Sequence, residues 1–166
     1  MKKIYLAGFD VFRPDARQWG RTLQTLCNKY GFDGLYPLDN HAPRSLTGKE
    51  LARWICTANL ELIRQADMIM ANLNPFRGAE PDSGTVFEVG YATALGKPVW
   101  VYTDEKRSLV DQVAVDKQLP GGPYTDSLGY TVEDFGLNLN LMIACTANTV
   151  IGNAEDCLAE MAEHAI

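Results

Sequence analysis

Asp67-Met68-Ile69-Met70-Ala71-Asn72-Leu73 carries no charge after its first residue and shows no alternation of apolar with polar groups. Such a run reads as a strand buried on both faces, the habit of a parallel sheet covered by helices. Upstream, Leu51, Ile55, Ala58, Leu62 and Ile63 fall on one side of a helix expected to end near Ala66. Thr47-Gly48-Lys49-Glu50 precedes it as a capping box. Further back, residues 4–7 form a first strand ending at Gly8, and Pro14 and Asp15 open a helix that runs past Trp19, Leu23, Leu26 and Cys27 towards Gly31. A short second strand is expected over 34–37. Downstream, residues 84–95 form a short, mostly buried helix closed by Gly96, and residues 98–102 another strand. Residues 103–135, with Pro120, Gly121, Gly122 and Pro123, read as a long surface excursion with one turn of helix. A short apolar stretch over 137–144 follows, and Asn153 caps a last helix through Glu163. The alternation of strands and helices defines an α/β fold with a central, mostly parallel sheet, in a single domain over 1–166.

The chain has 166 residues, 46% of them hydrophobic, which is enough for one ordinary core. Its formal charge of −6 excludes a nucleic-acid polymer as partner and suits a small neutral or cationic ligand. The four cysteines, Cys27, Cys56, Cys145 and Cys157, form no CxxC, and His41 and His164 lie far from them, so no metal site is expected. Scattered cysteines without a signal peptide fit the cytoplasm. No run approaches the roughly 18 apolar residues of a membrane helix.

Glu88 is the one acid in the uncharged run Gly84-Thr85-Val86-Phe87-Glu88-Val89-Gly90-Tyr91-Ala92-Thr93-Ala94-Leu95. Its helical neighbours Gly84, Thr85, Tyr91 and Ala92 are small or hydroxylated. A carboxylate on a cleft floor fits this pattern, and so does a structural acid bonded to a nearby tyrosine or backbone amide. In open sheets ligands bind beyond the carboxyl ends of the strands. That rim gathers Gly8, Phe9 and Asp10 after the first strand, Asp39, Asn40 and His41 after the second, and residues 74–82 after the third. Neither GxGxxG nor GxxxxGK[ST] is present, so no nucleotide-cofactor fingerprint exists.

The segment Asn74-Pro75-Phe76-Arg77-Gly78-Ala79-Glu80-Pro81-Asp82-Ser83-Gly84-Thr85-Val86-Phe87-Glu88-Val89-Gly90-Tyr91-Ala92 resembles the signature of the nucleoside 2-deoxyribosyltransferases. Ile4-Tyr5-Leu6-Ala7-Gly8, residues 59–67 and Phe135-Gly136-Leu137-Asn138-Leu139-Asn140-Leu141-Met142 are similar to the same family. The resemblance implies a flavodoxin-like three-layer sandwich and cofactor-free exchange of nucleobases on 2′-deoxyribonucleosides, with free bases as the other substrates. It makes Glu88 the nucleophile of a covalent glycosyl intermediate, with two inversions giving net retention. Tyr5 then matches the tyrosine that orients the nucleophile, and Asp82 the aspartate that takes the sugar 5′-hydroxyl. Asn140 matches an asparagine lent by a neighbouring subunit, which implies a homo-oligomer, a dimer at least and possibly a hexamer.

Asn59 stands where several members carry an aspartate that protonates the leaving base, and an amide cannot donate a titratable proton. Asp39, a bound water or the base nitrogen itself could take that part. Asn40 and His41 fall where members contact the base, and Phe9 and Phe12 could stack on it. Arg77 is expected to pair with Glu80. The nearest rival is an N-glycosidase of the same superfamily acting on 2′-deoxynucleosides or their 5′-monophosphates. Asp82 argues against a phosphate at the 5′ position, because a carboxylate repels a dianion. A second rival, a binding domain without turnover, conflicts with the joint presence of Tyr5, Asp82 and Glu88.

Overall fold

A computed structural model of the chain describes residues 1–113, 115–116 and 122–164. Five parallel strands form the central sheet: β1 (Lys2–Gly8), β2 (Phe32–Leu35), β3 (Met68–Asn72), β4 (Val99–Thr103) and, last in the chain, a strand at Asn148–Ile151. The helices are α1 (Ala16–Lys29), α2 (Gly48–Gln65), α3 (Ser83–Ala94), the short α4 (Leu109–Gln112) and α5 (Leu141–Ala144), and α6 (Ala154–His164). Between α4 and α5 the two-residue strands β5 (Val115–Asp116) and β6 (Thr125–Asp126) pair antiparallel, which makes Asn148–Ile151 β7. Pro120 and Gly121 of the expected excursion lie outside the described residues.

The strand order is β2-β1-β3-β4-β7. Alternate residues of the three central strands feed two cores. Ile4, Leu6, Met68, Met70, Trp100 and Tyr102 pack against Leu23 and Cys27 of α1 and Cys157, Leu158 and Met161 of α6. Tyr5, Ala7, Ile69, Ala71, Val99 and Val101 face Ile63 of α2, Val89 and Ala92 of α3, and Ile143 of α5. The expected double burial of β3 is therefore found at every position, β4 is buried throughout as well, and the α/β sandwich is found with them.

Several boundaries differ from the sequence reading. The second strand is Phe32–Leu35, two residues earlier than expected, because Pro37 has no N–H for a ladder and opens a 3-10 turn over Pro37–Asp39 instead. Thr47 does precede α2 with extended backbone, yet its side chain makes no cap hydrogen bond. Gly48 next to it sits at φ 53°, so the chain enters the helix without the geometry that a capping box needs. Ile55 is 44% exposed where a core position was expected, since it lines an open cavity. Helix α3 is less buried than its composition suggested: Phe87 is 59% exposed and Gly90, Ala94 and Leu95 are also on the surface. Only one side of this helix meets the sheet, and the other is a bare apolar stripe with Phe87 stacked on Tyr91. No helix among the described residues is long and apolar enough to cross a membrane.

Candidate active site

The chain turns from β1 to β2 on one side and to β3 on the other, so the crevice at the carboxyl ends of β1 and β3 is the sheet's switch point. Helix α3 begins just beyond β3, and it delivers Glu88 over this crevice. Tyr5 lies at the middle of β1, fully buried, and its hydroxyl donates to Oε1 of Glu88 at 2.6 Å. The strand fixes the ring and the ring fixes the carboxylate. Oε2 of Glu88 accepts no hydrogen bond among the described residues, so one oxygen is held and the other is open.

Burial pushes the Glu88 carboxyl up to about 7; the Tyr5 hydrogen bond opposes this, and the nearby charge of Asp82 adds to it. Tyr5 itself is driven well above the ordinary tyrosine range by burial and by the Glu88 charge, so the proton between them stays on the phenol. At neutral pH Glu88 is thus poised between its two protonation states. A carboxylate that titrates there can act as a nucleophile without being fully quenched by solvent.

Asp82 is the N-cap of α3, six residues before Glu88, and near enough for its charge to act on that carboxyl. Its Oδ2 accepts from the backbone N–H and from the hydroxyl of Thr85, both at 2.9 Å. Asp82, Thr85 and Glu88 therefore form a row of three oxygen-bearing side chains. Thr85 is 2% exposed and was not singled out from the sequence, although its position three residues from each acid was a usable signal.

Asn40, His41 and Asn59 come together in one cavity of about 380 Å³ between the loop after β2 and helix α2. Val11, Arg17, Leu38, Trp54 and Ile55 complete its wall. Nδ2 of Asn40 is buried there without a hydrogen-bond partner among the described residues, an amide donor still in want of an acceptor. His41 is exposed at the rim. Trp54, next to Ile55 on α2, is a wall residue that no spacing in the sequence ties to Asn59. Neither Glu88 nor Tyr5 lines this cavity. Asp39 lies outside it too, exposed, with Gln24 Nε2 donating to its carboxylate at 2.6 Å.

Two expected site residues sit elsewhere within the chain. Phe9 stacks on Phe76 at 4.8 Å between centroids, and it borders a separate recess of about 430 Å³ with Asp10, Asn72 and Asn74 on the α1 and α6 side. Phe12 stacks on the other face of the same cluster at 5.5 Å from Phe76. Asn140 is across α3 from the crevice, in an open groove with Ser83, Val86 and Met142. There it donates to Glu133 Oε1 at 2.6 Å and caps α5 through Met142 N. Nor does Arg77 pair with Glu80. Its backbone takes φ 57°, and this turns the guanidinium over the rings of Phe76 and Phe12 at 4.6 and 5.3 Å. Among the described residues no cluster of three His, Cys, Asp or Glu side chains is placed to hold a metal ion.

A half-buried, tyrosine-bonded glutamate at the switch point of a parallel sheet, with a second carboxylate at the start of the same helix, suits the chemistry of glycosyl transfer. The sequence profile described as "Nucleoside 2-deoxyribosyltransferase" matches residues 4–142, and the chain belongs to that family. Among solved structures it is similar to the 2-desoxiribosyltransferase from Leishmania mexicana, at 35% identity and a TM-score of 0.80, with 100% of both chains covered. The 2-deoxyribosyltransferase of Bacillus psychrosaccharolyticus shares the fold at 20% identity and a TM-score of 0.60, over 93% of this chain and 88% of the other. Among curated proteins it is similar to the uncharacterized protein C191.05c of Schizosaccharomyces pombe, 34% identical over 113 residues. That match covers 66% of this chain and 54% of the relative, so the chain spans about half the length of the curated protein it matches.

Proposed function

We propose that the protein exchanges nucleobases on 2′-deoxyribonucleosides through a glycosyl ester on Glu88. The observation that carries this reading is the 2.6 Å bond from Tyr5 to one Glu88 oxygen, with the other oxygen left open. Oε2 attacks the anomeric carbon from the face opposite the base; the C–N bond breaks and the base departs with the bonding pair. The transition state carries oxocarbenium character, which an adjacent anion stabilises. A free acceptor base then attacks the anomeric carbon from the vacated face, the bond from that carbon to Glu88 breaks, and Glu88 leaves as carboxylate. Two inversions return the original anomer. Asp82 receives the 5′-hydroxyl, and the cavity lined by Asn40, His41, Trp54 and Asn59 receives the base, whose acceptor edge meets the unpartnered Asn40 amide. Asn59, an amide, holds the base without protonating it, so the proton reaches the leaving nitrogen from water or is already on the base.

The reading includes a homo-oligomer at work in the cytoplasm. Asn140 stands in an open groove with Ser83, Val86 and Met142, and α3 exposes Phe87 and Leu95, an arrangement suited to completing a neighbour's site. Incubation with 2′-deoxyinosine and free adenine or cytosine, followed by chromatography, tests the activity. New deoxyadenosine or deoxycytidine is the expected outcome. Hypoxanthine and free deoxyribose alone would identify an N-glycosidase instead, and turnover of 5′-monophosphates only would overturn the role of Asp82.

A further inference from the structure

We propose that Thr85 is a positioning residue that fixes which oxygen of Asp82 meets the sugar. The inference rests on the reading above and goes beyond it by giving Thr85 a part in substrate selection. Thr85 Oγ1 and Thr85 N both lie 2.9 Å from the same atom, Oδ2 of Asp82. The threonine is 2% exposed, so its hydroxyl has no water to turn to, and an ionised carboxylate can only accept. Two donors fill Oδ2. Oδ1 accepts no hydrogen bond among the described residues, which leaves one acceptor of the carboxylate unclaimed.

The backbone N–H alone is an ordinary N-cap bond, and a cap held by one bond can rotate about χ2. The second donor on the same oxygen removes that freedom. Gly84 keeps the space beside it clear, since a Cβ there would stand 3.2 Å from Oδ2. Thr85 is three residues from Asp82 and three from Glu88 on α3, so the side chain that locks the 5′-hydroxyl acceptor belongs to the same helix as the nucleophile. A 2′-deoxynucleoside with a free 5′-hydroxyl is the substrate this arrangement selects over one lacking it.

Thr85→Val keeps the shape and removes the donor. Steady-state kinetics with adenine as acceptor would compare 2′-deoxyinosine with 2′,5′-dideoxyinosine, for wild type, Thr85→Val and Thr85→Ser. The expected result for Thr85→Val is a KM for 2′-deoxyinosine raised about ten-fold, with kcat much less affected. The constants for 2′,5′-dideoxyinosine should stay within about two-fold, and Thr85→Ser should restore most of the wild-type KM. Equal losses on both substrates would mean that Thr85 only supports the helix, and no loss on either would mean that its hydroxyl is idle; each overturns the proposal. Should Thr85→Val not fold, Thr85→Ala carries the same comparison. Wild-type protein that fails to process 2′-deoxyinosine at all would refute the transferase reading and this inference together, whereas normal wild-type turnover with insensitive variants refutes this inference alone.

Discussion

The two faces of the sheet are built from the same three strands and do different work. On the α1 and α6 side the strands present Ile4, Leu6, Met68, Met70, Trp100 and Tyr102, large groups that fill the layer. On the α2 and α3 side they present Ala7 and Ala71 among smaller groups, and one large exception, Tyr5. Small residues let α3 approach, and the tyrosine carries a hydroxyl up to Glu88. The buried acids differ in the same way. Asp10, on the first side, takes the amide of Asn72 at 2.9 Å, and Asn72 in turn accepts from Asn74 N and Nδ2. Glu88, on the second, has a single donor. Polar groups that are enclosed and satisfied hold a loop in place; one that is enclosed and half-satisfied keeps free energy available for chemistry.

That division can be broken by experiment. The largest effect is expected for Glu88→Gln, with turnover lowered on the order of 10³-fold or more while the Tyr5 hydroxyl still has an oxygen to bond. Retained turnover would end the nucleophile assignment. Next, Leu158→Ala on the opposite face should cost about 2–5 kcal/mol of stability in denaturant melts, with kcat/KM of the folded protein unchanged. A matching loss of kcat/KM would show that the two faces are not separable.

Tyr5→Phe removes the one donor to Glu88 and should lower kcat/KM about ten-fold. It should also move the acid limb of the pH profile upward, because the Tyr5 bond holds the Glu88 carboxyl down from where burial alone would put it. In wild type that limb should fall near pH 7, activity rising as Glu88 ionises. Asp82→Asn should move the limb the other way, since the Asp82 charge pushes Glu88 up.

The smallest effect is thermodynamic. Glu88 is raised from 4.5 to about 7 in the fold, so the native state favours its protonated form. Its contribution to stability is fully present below about pH 4.5 and is lost as pH climbs to 7. Glu88→Gln should therefore raise the melting temperature more at pH 8 than at pH 5. An equal rise at both would mean that ionising Glu88 carries no cost.

How much of this the sequence carried depends on how local each cause is. Burial on both faces removes polar residues from a strand, so β3 and β4 stand out in the bare string. A lone charge in an apolar helix does the same for Glu88. Strand β7 leaves no such mark: two of its four residues are polar, and pairing with β4 at the sheet edge, far away in the chain, makes it a strand, with Asn148 Nδ2 donating to the carbonyl of Val99, 49 residues away. Phe9 went astray for a related reason. Its loop was placed correctly at the rim, but Phe76, from the loop after β3, claims its ring, and nothing near Phe9 announces that partner. The rim rule, which depends on topology alone, pointed to Asn40 and His41, whereas Asn59 on α2 came only from the family resemblance.

The place of α6 after β4 in the chain has a bearing on synthesis. Strands β1, β3 and β4 and helices α2 and α3 have all been made by Thr103, whereas Ala154, Cys157, Leu158 and Met161 emerge from the ribosome only later. Until they do, Met68, Met70 and Trp100 have only α1 on their side of the sheet. A nascent chain held at that stage exposes the apolar underside of a nearly finished sheet, a surface that invites chaperones or aggregation well after the elements bearing Tyr5 and Glu88 have been synthesised.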